Sequence, residues 1–418
     1  MRTVLISGAS VAGPALAYWL HRYGFSVTVV ERAPALRAGG QAVDFKGRTH
    51  LTVLERMGIL DEVRARRTGT TDLVLVDADG RELGVMSGEF TGGDLEILRG
   101  DLAEIMYDRT ADSVEYLFGD TITDLHDTGD GVAVRFENSQ PRTFDLVLGA
   151  DGIHSRVRKL AFGPESDYVT HLSYYYCVAG ASRWSDAATP RDKASGYAHN
   201  TPGKLAIDGG PKAQQMYMFA APELHYPRDD AAAQRQIIEE TFADMGWHVP
   251  RMLTDLADFD DIYLDSISQV RMNGAYTRGR VALVGDAAYG NTLAGFGTGL
   301  AVVGAYVLAG ELAAAAGDHV AAFANYDRIM KRYAKIAGNT NAGHFLAPKT
   351  ALGIRARNWF LGSRFFTLMM KYGDKAANDI DLVDYPQLVG TATPRLGSIT
   401  GSAIRINLDR DQLTDPVL

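Results

Sequence analysis

"TVLISGASVAGPALAYWL", residues 3–20, reads as three local structures in a row. Thr3 to Ser7 is a short β-rich apolar run, Gly8 to Gly13 is a tight turn, and Pro14 to Leu20 carries apolar side chains at helical spacing. Tyr23-Gly24 stops that helix, and Ser26 to Val30 is a second β run closing on Glu31-Arg32. Strand, glycine turn, helix, strand, acid is the layout of a dinucleotide-binding βαβ unit. Gly8 permits the turn, and Gly13 lets helix and strand pack closely. Val11 and Ala12 lead into a helix start whose unpaired N–H groups suit a pyrophosphate. Glu31 can accept hydrogen bonds from a ribose. The middle position of the turn is Ser10 rather than glycine, and its hydroxyl is a candidate donor.

This unit alone does not separate NAD from FAD. An NAD fold calls for four to five further strand–helix alternations, whereas here a glycine loop (38–40) leads into an extended piece, an amphipathic helix from His50 to Met57, and hairpin-like β material over 73–86. The hairpin carries an Asp-Gly turn at 79–80.

A second glycine turn answers the first. "GDAAYGNTLAGFGTG" (285–299) follows the apolar run Val281 to Val284. Ligands of parallel sheets collect at the carboxyl ends of strands, and Asp286 falls at such an end, where it can accept from the sugar-alcohol chain of a flavin. Gly295, Gly297, Thr298 and Gly299 bring bare backbone to the start of a helix over about 299–316, and a helix N-terminus favours the negative charge of a reduced flavin. One glycine turn then serves the adenosine–pyrophosphate half of FAD and the other the flavin half. Between them, Arg99 stands at the entry of a helix over 100–110, and a buried strand from Asp145 ends in Asp151-Gly152.

Three motifs in this order, "GASVAGP" with Glu31-Arg32, "GADGIHSRVR" (149–158) and "GDAAYGNTLAGFGTGLAVVGAYVLAGEL" (285–312), resemble those of the single-component FAD-dependent aromatic monooxygenases, the p-hydroxybenzoate hydroxylase-like superfamily. The likeness covers roughly residues 1–385 and is nearest to the branch of polyketide hydroxylases and tetracycline-inactivating enzymes. It implies bound FAD, transient NADPH or NADH, and O2, with an aromatic, phenolic or polycyclic polyketide-like small molecule hydroxylated through a flavin 4a-hydroperoxide. It places Glu31 on the adenosine ribose, Arg32 and Arg99 along the cofactor, Asp44 near the flavin, Asp286 on the ribityl–pyrophosphate segment, and Asp151 where FAD is steadied and the nicotinamide donor is met. The family usually has histidine at 289 and a proline just before the glycine cluster. Here stand Tyr289 and Asn291-Thr292-Leu293, and Gly299 and Gly304 replace the Asn and Asp of many relatives.

The fold class expected is α/β: a Rossmann-like FAD-binding domain (1–72, 98–166, 277–340) interleaved with a mixed or antiparallel β-sheet substrate domain (73–97, 167–276), plus a long C-terminal helix within 341–385 and a tail (386–418). "LSYYYCVAG" (172–180) and "KAQQMYMFAA" (212–221) read as strands with aromatic faces. Tyr175, Tyr217 and Phe219, with Phe296 of the glycine cluster, are the candidate substrate contacts. "GIRARNWFLGSRFFTLMMKY" (353–372) is long, apolar and basic; it reads as a helix packed across both domains, as in the tetracycline-inactivating relatives, or as a membrane-surface helix.

Composition narrows the field. The 418 residues carry 42 basic and 51 acidic side chains, a net charge of −9, which argues against nucleic acid as a partner. The single cysteine, Cys177, excludes a disulfide framework within the chain, and the histidines show no metal spacing. No apolar run reaches membrane-spanning length, so a cytoplasmic protein, with a monomer favoured, is expected. There is no Trp-x-Trp-x-Ile-Pro run, which argues against flavin-dependent halogenases. Two rivals stay open at this point: a flavin dehydrogenase or reductase that inserts no oxygen, suggested by the missing proline, and a non-catalytic FAD or aromatic-ligand-binding protein.

Overall fold

The computed structural model describes residues 2–36, 40–68, 71–88, 93–181, 194–209, 214–259, 262–338, 341–363 and 382–385. Its first sheet is built around Thr3–Ser7, whose continuous apolar centre Val4–Ile6 suits a strand covered on both faces. The strand order is Thr277–Arg278, Val281–Leu283, Leu146–Gly149, Thr3–Ser7, Ser26–Glu31, Glu115–Phe118. All neighbours but the first pair run parallel. Register aligns Ser7 with Val30 on one side and Gly149 on the other, and Gly149 with Leu283. Gly8, Glu31, Asp151 and Gly285 therefore all leave the sheet at one carboxyl edge.

The second sheet has the order Tyr263–Val270, Val169–Ala181, Gln214–Ala220, Lys204–Asp208, Ala194–Thr201, Thr71–Val76, Glu82–Met86. It is antiparallel except where Ala194–Thr201 runs beside Thr71–Val76. Alternation of side chains gives it two distinct faces. One carries Tyr175, Cys177, Tyr217 and Phe219 beneath the helices Ala231–Phe242 and Val249–Asp255, packed on Ile238, Phe242 and Met252. The other, the inner face, carries Tyr174, Tyr176, Leu205, Met218 and Ile267, and meets Leu293, Ala347 and Leu361.

This corrects the expectation for the substrate contacts. Tyr175, Tyr217 and Phe219 are on the helix-covered face, each at most 3% exposed. The two tyrosine hydroxyls bond within that layer: Tyr217 donates to Gln215 Oε1 at 2.8 Å, and Tyr175 accepts from the Leu224 N–H at 2.7 Å. The sequence offered aromatic residues in both alternation classes, and the amphipathic helix claimed this one.

The helix Gly297–Ala314 is apolar all round because it lies in the core. It is long and apolar enough to cross a membrane but is mostly buried inside the protein. The later chain forms Ala342–Leu346 and Ala351–Leu361, which meet the inner face of the second sheet. Of the helix expected over 353–372, residues 364–372 lie outside the described residues, as does the 386–418 tail. Residues 382–385 return to the cofactor-side core, where Tyr385 donates to Glu311 Oε1 at 2.8 Å and a Cβ on Gly310 would overlap the Tyr385 ring. Residues 1–387 form one compact unit containing both sheets.

Candidate cofactor and substrate site

The two glycine turns meet. Gly8 has φ +104°, and a Cβ there would stand 2.5 Å from the Ala150 carbonyl oxygen; one on Gly13 would stand 1.8 Å from the Gly8 oxygen. Gly285, at φ +64°, is the other corner, where a Cβ would reach Ala12 Cβ at 3.2 Å and Ala301 Cβ at 3.3 Å. The start of the first helix thus abuts the second turn and the second helix. Three strand steps separate Glu31 from Asp286 along the shared edge, roughly 14 Å at ~4.8 Å per step. That is of the order of a pyrophosphate with a sugar at either end.

Both helix starts are bare. Ala12–Arg22 is preceded by Val11 and Gly297–Ala314 by Phe296; neither residue caps its helix with a side chain, and neither first turn holds an acid. Their N–H groups stand available to an anion. Glu31 spans the first turn, accepting from the Ala9 N–H and the Ala33 N–H at 2.8 Å each. Each of its oxygens keeps a lone pair for a hydroxyl. Ser10 is half-buried beside it, and Arg32 is exposed on an open depression lined by Ala33, Pro34, Leu36 and Asp229.

Asp286 has no hydrogen-bond donor on its carboxylate among the described residues. Protein atoms crowd it closely enough to raise its pKa by desolvation, opposed by the charge of Arg99, yet its side chain stays open to the cleft. Gly297 begins the long helix beside it, with room for a Cβ only 3.5 Å from Asp286 Oδ1. The Arg99 guanidinium has no hydrogen-bond or ion-pair partner among the described residues, and its charge acts on Asp286, Tyr176 and Tyr263. Asp44 is pushed up to about 6 by burial, against the charge of Lys46, and its Oδ2 has no hydrogen-bond partner among the described residues. Lys46 also lies 5.9 Å over the ring of Phe296.

Asp151 is committed elsewhere. It accepts from Ser155 Oγ, from the Val157 N–H at 3.0 Å and from Ser7 Oγ at 3.3 Å, tying its loop to the first strand. Its carboxylate therefore ties the 149–158 motif to the sheet edge. Arg158, fully buried, donates to the carbonyls of Ala287 and Ile153. It pins the Asp286–Tyr289 turn to the 149–158 motif. Nothing in the Ser-Arg-Val-Arg run distinguishes it from its exposed neighbour Arg156 except its position on the short helix Arg156–Ala161.

The departures from the family pattern compensate one another. A Cβ on Gly304 would sit 2.0 Å from Tyr289 Oη, so the larger ring at 289 occupies the space a side chain at 304 would need. Likewise a Cβ on Gly299 would overlap the ring of His50, which is fully buried and kept neutral by burial, at about 4. His50 Nδ1 accepts from the Lys46 N–H at 3.1 Å, so the Asp44–Lys46 segment and the long helix are positioned through one ring. The proline-free loop is tied to the second sheet instead: Thr292 N–H donates to Ser268 O at 3.0 Å, and Val270 N–H to Gly290 O at 2.7 Å.

Bare backbone at both corners, uncapped helix starts, and a cation and a carboxylate without partners among the described residues fit one FAD running along the edge. The chain matches the FAD binding domain family over residues 1–334. It belongs to that family. It is 43% identical to an uncharacterized protein of Mycobacterium tuberculosis over 78% of this chain and 89% of that protein. A flavin-dependent monooxygenase of Legionella longbeachae is 37% identical over 79% of this chain and 85% of its own length. The crystal structure of tetracycline destructase Tet(51) is similar over 92% of this chain and 99% of its own, at TM-score 0.77 and 32% identity. The protein is a FAD-dependent monooxygenase, an oxidoreductase of the kind that uses NAD(P)H and O2.

Proposed function

We propose that this monooxygenase hydroxylates a flat, polycyclic, phenolic or enolic small molecule bound between the flavin edge and the inner face of the second sheet, in the cytoplasm. The observation that carries this reading is that face itself. Ile207 and Met216, both partly open, stand beside Tyr176 as an apolar wall with the flexible contact surface that methionine provides. The wall meets Leu293 of the glycine loop, the segment whose start holds Asp286. The similarity to tetracycline destructases, named for a four-ring substrate, supports the same class.

In this reading Gly8 to Gly13, with Glu31, seat the adenosine and pyrophosphate. Gly285, Asp286, Arg99 and the Gly297–Gly299 turn seat the flavin half. Bound FAD supplies the electron transfer from NAD(P)H and the activation of O2. The chain's own groups set the conditions. Arg99 and the helix start at Gly297 offset negative charge, Asp44 faces the same region as a weakly acidic group, and the apolar wall excludes water while fixing the substrate's orientation. Residues 1–72, 98–166 and 277–340 serve the cofactor, and 73–97 with 167–276 the substrate.

The test incubates purified, FAD-loaded protein with NADPH and a panel of phenols, anthraquinones and tetracyclines, following O2 uptake and product mass. A gain of one oxygen atom on a polycyclic compound supports the proposal. A two-hydrogen change with no oxygen gained would overturn it.

A further inference from the structure

The inner face of the second sheet is polar at one end. Tyr263, Asp265 and Ile267 alternate onto that face, with Tyr263 opposite Val178 and Asp265 opposite Tyr176. Asp265 is 3% exposed, and three donors hold its carboxylate. Tyr263 Oη donates to Oδ2 at 2.7 Å, the Ser266 N–H donates to Oδ1 at 2.7 Å, and His154 Nε2 stands 3.0 Å from Oδ1. His154 Nδ1 stands 2.9 Å from Glu165 Oε1, which Arg228 approaches at 3.9 Å. His154 belongs to the 149–158 motif, so the chain of contacts crosses from the cofactor side to the substrate sheet.

Burial opposes a charge on His154, but the carboxylates of Asp265 and Glu165 outweigh it and raise the ring's pKa, while Asp265 is lowered in turn. Asp265 is thereby kept an acceptor. Tyr263, 37% exposed, is the open end of the chain; its ring lies 6.0 Å from Tyr176, and both feel the charge of Arg99. A tyrosine has one O–H. Because Tyr263 directs its own at Asp265, its oxygen has only lone pairs left to offer, to the neighbouring Tyr176 hydroxyl or to a bound molecule.

We propose that Tyr263 reads a hydroxyl group on the substrate by accepting its hydrogen bond, with Asp265 and His154 as positioning residues that fix the direction of the Tyr263 proton. This rests on the polycyclic-substrate reading above and sharpens it: the enzyme selects hydroxylated rings over the same ring system without the hydroxyl. A hydrogen bond accepted from that hydroxyl also leaves the ring richer in electrons, which favours oxygenation.

The test is equilibrium binding, read by quenching of tryptophan fluorescence on FAD-loaded protein without NAD(P)H, so that no turnover intervenes. The probes are alizarin, which carries two adjacent hydroxyls, and anthraquinone, which carries none. The wild type is expected to bind alizarin about three- to tenfold tighter, the range one net hydrogen bond gives. Tyr263→Phe, which keeps the ring, should remove that preference while leaving anthraquinone binding and FAD content unchanged. Asp265→Asn and His154→Gln should weaken alizarin selectively, whereas a merely structural role would weaken both probes alike. A preference that survives Tyr263→Phe overturns the assignment, as does an Asp265→Asn effect equal for both probes. If the wild type holds FAD but binds neither probe, the polycyclic reading falls and this inference with it.

Discussion

Replacing Gly13 by alanine probes the closest approach in the cofactor seat. The added Cβ would stand 1.8 Å from the Gly8 carbonyl oxygen. That oxygen belongs to the backbone of a turn fixed at φ +104°, so no side chain can swing aside. The start of the Ala12–Arg22 helix must instead move by more than about 1 Å to reach an ordinary contact. Such overpacking costs about 1–3 kcal/mol, against which the better helix propensity of alanine returns about 0.5–1 kcal/mol. The same displacement withdraws the helix N–H groups from a pyrophosphate, and losing one charge-assisted hydrogen bond of about 1.5–3 kcal/mol weakens FAD about ten- to a hundredfold. Titration of deflavinated protein with FAD and urea unfolding measure the two effects separately. Gly274→Ala is the control, since a Cβ at 274 meets nothing within 4 Å. Gly13→Ala protein with wild-type FAD affinity would refute the seating of the pyrophosphate on this helix.

Other substitutions follow the same geometry. Asp286→Asn should weaken FAD about tenfold, the value of a hydrogen bond to a charged group, yet raise the melting temperature of the apoprotein at neutral pH by removing a desolvated, undonated carboxylate. Differential scanning fluorimetry with and without FAD checks both signs. Gly304→Ala should destabilise by about 1–3 kcal/mol through contact with Tyr289 Oη, and Tyr289→Phe should largely rescue it, as a double-mutant cycle in urea would show. Tyr217→Ala, on the helix-covered face, should cost about 3–5 kcal/mol of stability, whereas Met216→Ala, at a partly open position of the inner face, should alter ligand preference, read by comparing Kd for alizarin and anthraquinone. Because the pKa of His154 is raised, its contribution is fully present below the ordinary histidine value and lost as pH rises through the folded value. The stability difference between wild type and His154→Gln should shrink over that interval, while the lowered pKa of Asp265 makes its contribution fade only as pH falls through its own folded value.

The cofactor side was legible because its demands are local. A backbone corner at φ +104° beside a carbonyl admits only glycine, and the acid at the end of the second strand follows from register. The meeting of the two glycine turns could be argued from their chemistry, but the contact between Gly285 and Ala12 depends on strand order, which no local pattern encodes. The substrate side was less legible for the same reason. Tyr174 to Tyr176 present the same residue type to both faces, so only the docking of Ala231–Phe242 decides which of them are covered. Asp265 and Tyr263 carried no motif at all: their role comes from His154, more than a hundred residues earlier in the chain. Asp151, prominent in its motif, also binds Ser7, Ser155 and Val157, a structural tie that the motif does not spell out.

The most direct measurement is a crystal structure of the yellow protein with FAD. The account predicts one FAD lying along the carboxyl edge, its adenosine ribose on Glu31, its pyrophosphate over residues 11–13 and its sugar-alcohol chain against Asp286. Density that puts the flavin half beyond the reach of Asp286 and Arg99, with the adenosine still at Glu31, would contradict it.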